Sequence, residues 1–361
     1  MNSSDHIRVE SPADFHCHLR QGDMASLVTP LVPAGGVETC LVMPNTQPPI
    51  TSTDMAVNYR SQLESLAPEV QFVMTLYLSP ALTPEEIHKA AENGVTGVKS
   101  YPRGVTTNSD GGIESYDVYY PVFQAMQDTG MVLNLHGEVP SDEATGVTIL
   151  NAEQRFLPQL DKLAHSFPNL RIVVEHATTK AAVEKVKSLP SNVGCSITPH
   201  HLELIVDDWA GQGFNYCKPV AKYWEDRAAL RDVIREGHPR FFLGSDSAPH
   251  PRANKINKAP RLDEHLEAVP ACACAAGLFT SAILIPLCAH LLESFGALDK
   301  LEGFVSKNGR AFYNIAPKTD KAVTLVKQDT TVPVEYTKSN GEGDSVVVPF
   351  MAGKTIKWQL L

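Results

Sequence analysis

The segment Asp14-Phe15-His16-Cys17-His18-Leu19-Arg20 sets two imidazoles two residues apart. On an extended strand successive side chains alternate faces, so His16 and His18 share one face and Cys17 takes the other. Such a pair can hold one metal ion, although His-x-His also arises by chance on surfaces. Further along, apolar runs end in Gly97-Val98-Lys99-Ser100, His136-Gly137-Glu138, Glu175-His176-Ala177 and Gly244-Ser245-Asp246-Ser247. Singly, each has a plain explanation: a strand-end histidine is usually just hydrogen-bonded, and a strand-end aspartate often caps a helix. Together, His16, His18, His136, His176 and Asp246 supply four imidazoles and a carboxylate, a donor set that suits zinc.

Lys99 stands where a metal site would want an anion. Burial and nearby cations both favour the neutral amine. A neutral amine can add carbon dioxide to give a carbamate, whose two oxygens can bridge two metal ions. The alternative is a lysine that reaches to the surface or binds a substrate anion; the residues alone leave both open.

These residues need a scaffold that gathers strand ends. Eight short apolar runs rich in Val, Ile, Leu and Phe alternate with helix-like stretches: HIRVESPADF, VETCLVM, VQFVMTLYL, GVTGVKSY, MVLNLH, LRIVVEH, NVGCSIT and RFFLGSD. Continuous apolar runs are expected of parallel strands buried on both faces. Among the helix candidates, TPEEIHKAAENG has Thr83 as N-cap, Pro84 at the first position and Gly94 beyond the end. Eight such units predict a (β/α)8 barrel whose C-terminal mouth collects the candidate site. After Pro317 the pattern becomes KAVTLV, TVPVEY, SVVVPF and KTIKWQL, read as a short β-rich extension over about 317–361. The 361 residues are thus expected to form a single barrel domain, 1–361, rather than two domains.

Composition narrows the function class. The net charge of −10 argues against a nucleic-acid partner. Ala268–Leu292 carries no charged side chain, yet its Pro270, Pro286 and His290 predict a loop and a buried helix rather than a membrane span. The start, MNSSDHIRVE, lacks the apolar core of a secretory signal. Seven scattered cysteines predict reduced thiols and a cytoplasmic location, with Cys17, Cys40 and Cys195 buried and Cys272 and Cys274 in packing. No GxSxG elbow and no phosphate-binding glycine loop is present. His200 and His201, in TPHHL, sit close to the expected site, with His201 the better candidate for a role there. His6, His88, His165, His238, His265 and His290 are expected on the surface or on helices.

The motifs DFHCHLR, MPNTQPP, GVKSYPRGVTTNS, LNLHGE, VVEHATT, NYCKPV and GSDSAPH resemble those of the dihydroorotase family, in the amidohydrolase superfamily, and most of all its shorter-chain, free-standing bacterial and fungal type. The resemblance runs from Asp14 to near Phe350. It implies two zinc ions: His16, His18 and Asp246 on the more buried one, His136 and His176 on the second, and carboxylated Lys99 with a hydroxide bridging both. It implies that Arg20, Asn45 and His250 grip a substrate carboxylate, with Lys218 (main chain; a leucine in the bacterial pattern) and Ala275 as further contacts. Thr106 and Thr107 fall in Arg103–Gly112, which matches a mobile loop that closes over substrate; Gly104, Gly111 and Gly112 suit such mobility.

The implied reaction is the reversible, zinc-dependent cyclisation of N-carbamoyl-L-aspartate to L-dihydroorotate in pyrimidine biosynthesis, with Asp246 moving the proton. The implied metal centre is locally cationic, at about +1, so an anionic small molecule is accepted despite the acidic chain. A homodimer is the expected assembly. Three rivals remain. A hydantoinase or allantoinase shares the metal core but not the carboxylate grip. A metal-dependent nuclease would carry glutamate at the bridging position. A non-catalytic scaffold would have lost ligands.

Overall fold

The computed structural model describes residues 5–109, 111–256, 261–262, 268–269, 274–319, 321–339 and 344–361. The first apolar run splits into two strands, β1 (His6–Glu10) and β2 (Ala13–Cys17). Ser11, at φ 43°, and Pro12 break the run, so one predicted strand serves two sheets. The other seven runs each give one strand: β3 (Thr39–Val42), β4 (Gln71–Tyr77), β5 (Val95–Ser100), β6 (Val132–His136), β7 (Arg171–Glu175), β8 (Val193–Ile197) and β9 (Phe241–Leu243).

Strands β2 to β9 pair in parallel in chain order. Main-chain bonds across the remaining gap join the two ends: Asp246 N–H donates to His16 O and His18 N–H to Ser247 O, both at 2.9 Å. The result is the expected barrel, and its closing seam lies among the candidate ligands.

Two register irregularities matter for the site. Asp14 pairs with Cys40 and Cys17 with Val42, so β2 carries one extra residue against β3. Phe15 can therefore fill the barrel interior while the next residue, His16, also turns inward. A second extra residue lies in β5, where Met74 pairs with Val95 and Thr75 with Gly97. Bulges of this kind re-aim side chains beside active sites.

Below the mouth the barrel is packed. Ala13, Phe15, Leu41, Met43, Val73, Val132, Val173 and Phe242 meet Tyr313, from the helix Asn308–Tyr313 that plugs the end opposite the site. Tyr313 stacks on Phe15 with centroids 5.0 Å apart, and its hydroxyl donates to Asn134 Oδ1. A larger apolar layer lies between the strands and the outer helices. Those helices follow their sequence signals: Pro84–Glu92 is capped by Thr83, whose hydroxyl accepts from Glu86 N–H.

Two further strands, β10 (Arg261–Leu262) and β11 (Ala268–Val269), pair antiparallel. At the C-terminal end come β12 (Ala322–Thr331), β13 (Tyr336–Ser339), β14 (Asp344–Val347) and β15 (Thr355–Leu360). β13 and β14 form a hairpin, whereas β12 and β15 join β1 in a three-stranded antiparallel sheet. The β-rich extension therefore recruits the start of the chain. The uncharged stretch ends in the buried helix Leu284–Ser294, which packs on β15. Among the described residues no helix is long and apolar enough to cross a membrane.

Candidate active site

Each ligand candidate sits at the C-terminal end of its strand. His16 is near the end of β2 and His18 follows it, Lys99 is on β5, His136 closes β6, His176 follows β7, and Asp246 follows β9. His176 and Asp246 adopt left-handed backbone, at φ 43° and 47°, as does Arg20 at 60°. Strained backbone of this kind persists where surrounding structure imposes it, and it clusters at functional sites. The sharp turn lets the chain leave the strand while the side chain still points into the mouth.

The polar geometry favours a cation. His16 Nδ1–H donates to Glu175 Oε2 at 2.8 Å, and His18 Nδ1–H donates to Asn45 Oδ1 at 2.7 Å. Each ring thus turns a bare Nε2 lone pair toward Asp246 Oδ1, at 3.5 Å and 3.0 Å. Lone pairs facing a carboxylate repel unless a positive ion or proton lies between them. Burial keeps both imidazoles below their ordinary pKa, which favours the metal-binding neutral form. Asp246 is held ionised, at about 2, when positive charge stands opposite it: burial would raise it, but a proton on His18 or His16 and the nearby Lys99 outweigh that.

The second half of the cluster is adjacent. The His176 ring lies 4.9 Å from that of His16 and 4.7 Å from that of His136, and its Nδ1 is buried without a partner. His136 Nε2 is held by Glu138 Oε2 at 2.8 Å. Lys99 is fully buried, and its Nζ has no hydrogen-bond partner. It does not reach the surface. Burial lowers its pKa to about 8, so the neutral amine becomes accessible near physiological pH. Orphaned donors and unshared lone pairs among these residues fit a metal centre.

Around the imidazoles run Arg20, Asn45, Tyr101, Thr106, Thr107, Lys218, Ala248, Ala276 and Gly277. Arg20 Nε donates to Pro249 O at 2.9 Å, and its Nη2 comes within 3.3 Å of His250 Nε2. His250 Nε2–H donates to Ala276 O at 2.9 Å, and burial with Arg20 alongside holds that imidazole at about 3, neutral. Ala275 differs from expectation. Its N–H goes to Asn254 O and its carbonyl to Lys255, so Ala276 and Gly277 line the mouth instead.

The Thr106–Thr107 segment lies across the mouth. Asn45 Nδ2 donates to Thr107 O at 3.2 Å, Asn108 Nδ2 to Asn45 O at 2.9 Å, and Lys218 Nζ to Val105 O at 2.9 Å. With the segment in this position the space beneath is about 20 Å³, room for about one water. Gly104, at φ 69°, has open space around it, as a hinge would. Gly112 answers a different need, since a Cβ there would come within 2.4 Å of Tyr101 O. Asp110 lies outside the described residues.

Several buried acids that steady the ligands were not singled out from sequence. Glu175 also accepts from Ser196 Oγ, and burial raises its pKa to about 7. Asp14, likewise raised by burial to about 7, accepts from His16 N–H and from both Ser245 N–H and Oγ. Carboxylates that hold the second ring nitrogen orient metal-binding imidazoles. The one available signal was their place beside a ligand in the chain.

His200 and His201 are buried beside Cys217, with one ligand atom from each within 4.8 Å of the others. His201 Nε2–H donates to Pro219 O at 3.0 Å. His6, His88 and His165 are exposed, and His238 and His290 are half-buried, as expected; His265 lies outside the described residues. Cys17, Cys40 and Cys195 are buried free thiols, as are Cys217 and Cys288. Cys272 lies outside the described residues, and Cys274 is partly buried and free.

The chain is similar to known proteins along its whole length. A family model described as amidohydrolase matches residues 64–194. A dihydroorotase of Mycosarcoma maydis is 56% identical, with 99% of each chain covered. A dihydroorotase of Saccharomyces cerevisiae is 42% identical over 96% of each chain. The crystal structure of a Saccharomyces cerevisiae dihydroorotase in complex with 5-fluoroorotic acid superposes with a TM-score of 0.91 at 39% identity, covering 99% of this chain and 98% of that one. An L-hydantoinase from Arthrobacter aurescens shares the fold alone, at TM-score 0.79 and 19% identity over 98% of this chain and 83% of that one. Full-length identity at this level, on a barrel whose mouth carries the ligand set, makes the chain a member of the dihydroorotase family.

Proposed function

We propose that this chain is a metal-dependent cyclic amidohydrolase that interconverts N-carbamoyl-L-aspartate and L-dihydroorotate. The observation that carries the reading is the convergence of His16, His18 and Asp246 beside Lys99, His136 and His176, with Arg20 and His250 at the rim. Two zinc ions would suit this set: His16, His18 and Asp246 would hold one, His136 and His176 the other, and Lys99, as its carbamate, would supply an anionic ligand between them. Zinc supplies an activated water and polarises a carbonyl.

The protein's own residues do the rest. Arg20, Asn45 and His250 orient the substrate carboxylate, which brings the reacting atoms toward attack distance. Asp246, ionised and facing the ligand cluster, accepts a proton at its carboxylate and returns it to the ring nitrogen as the amide opens; cyclisation reverses these steps. The Thr106–Thr107 segment excludes water when closed. Lys218 contributes its main chain and, through Nζ, a tether to that segment. The chain acts as one domain on a small-molecule substrate, in the cytoplasm, as a homodimer, with no nucleic-acid or membrane partner.

The test is an assay of dihydroorotate beside hydantoin and allantoin, with zinc counted in the same preparation and mass measured by sedimentation. Dihydroorotate turnover with two zinc ions per dimer-forming chain is expected. Preference for hydantoin or allantoin would overturn the substrate reading.

A further inference from the structure

Lys255 ends the short helix Arg252–Lys255, five residues past His250, and its residue exposure is only 6%. Its ammonium faces three main-chain carbonyls: Ala275 O at 2.7 Å, Gly277 O at 2.8 Å and Tyr216 O at 2.9 Å. An ammonium has three donors and no acceptor, so all three are used. The same corner is sewn together elsewhere by main-chain bonds. Ala275 N–H donates to Asn254 O, and Gly277 N–H donates to Tyr216 O.

Both stretches held this way border the mouth. Tyr216 lies two residues ahead of Lys218, and Ala276 and Gly277 line the site directly. Ala276 O, between the two carbonyls that Lys255 binds, is the acceptor that fixes the His250 ring. Gly277 passes so close that a Cβ there would sit 2.9 Å from His250 Cδ2.

We propose that Lys255 is a positioning residue for substrate binding: it ties the Tyr216 main chain to Ala275 and Gly277 and thereby sets the His250 side of the carboxylate grip. This rests on reading Arg20, Asn45 and His250 as that grip. The role needs a tetrahedral donor as well as a charge. A guanidinium is planar and spreads its N–H groups in a fork, so it cannot serve three carbonyls that converge on one point.

The test compares Lys255→Met and Lys255→Arg holoenzymes with wild type and Arg20→Ala, measuring KM, kcat, zinc content and Tm. Both Lys255 variants should keep their zinc and raise KM for dihydroorotate by about tenfold or more, with kcat within about threefold of wild type. A merely structural lysine would lower Tm without that split. An unchanged KM in Lys255→Met, or a wild-type KM in Lys255→Arg, overturns the proposal. Should Lys255→Met fail to fold, Lys255→Arg decides by the same criterion. Arg20→Ala separates the two layers of the argument. If its KM is unchanged, the grip falls and the proposal with it. If its KM rises while the Lys255 variants bind normally, the proposal alone falls.

Discussion

In the proposed mechanism Asp246 has two tasks at one carboxylate, to hold a cation with His16 and His18 and to carry a proton. They separate in Asp246→Asn, which keeps an oxygen ligand but loses the base. That variant should retain most of its zinc and lose turnover by at least about 100-fold; metal analysis beside the dihydroorotate assay checks this, and near-normal turnover would refute the proton role. Lys99 offers a second test. With its pKa lowered to about 8, roughly a tenth of the amine is neutral at pH 7, and the fraction grows as pH rises. At a fixed concentration of dissolved carbon dioxide, carbamate-dependent reactivation of metal-stripped protein should therefore quicken from pH 7 to pH 9. Lys99→Ala should lose metal and activity and recover part of both with a short carboxylic acid; full activity without one would exclude a bridging role.

Elements decide how those residues are aimed. The extra residue in β2 lets Phe15 point into the packed interior and His16 into the mouth above it. Tight packing beneath the site follows. A Cβ on Gly309 would lie 2.3 Å from Phe15, so Gly309→Ala should displace that ring and destabilise the fold by about 1–3 kcal/mol. Denaturant unfolding measures this, and an unchanged midpoint would mean the plug helix can shift freely. The segment across the mouth depends on a few hydrogen bonds through Asn108, to Asn45 O and from Gln47. Asn108→Ala should lower kcat/KM by about fivefold, the worth of roughly one hydrogen bond, at unchanged zinc content. No change would detach this segment from catalysis.

At the scale of the molecule, the proposed ligands come from the ends of β2, β5, β6, β7 and β9, strands spread around the whole barrel. A metal centre that joins them stabilises the folded chain and not the unfolded one. Chelation should lower Tm by several degrees and re-addition of zinc should restore it; an unmoved Tm would mean the cluster binds metal weakly or not at all. The closing seam makes this coupling direct. Two main-chain bonds across it involve His16, His18 and Asp246 themselves, so the proposed ligands and the barrel closure share the same backbone.

The amino-acid sequence by itself determined the eight-stranded barrel and the six ligand candidates. Local apolar runs and short spacings are written in consecutive residues, and parallel strands put their ends at one mouth. It also supplied the motifs that pointed to the family. Tertiary structure alone decided the rest, because those features join residues far apart in the chain. β1 left the barrel for the C-terminal sheet, since pairing with β12 is a matter of register across more than 300 residues. Glu175 became the partner of His16, 159 residues away. Lys255, one lysine among many in the chain, became a clamp only when three carbonyls from two other segments closed around its ammonium.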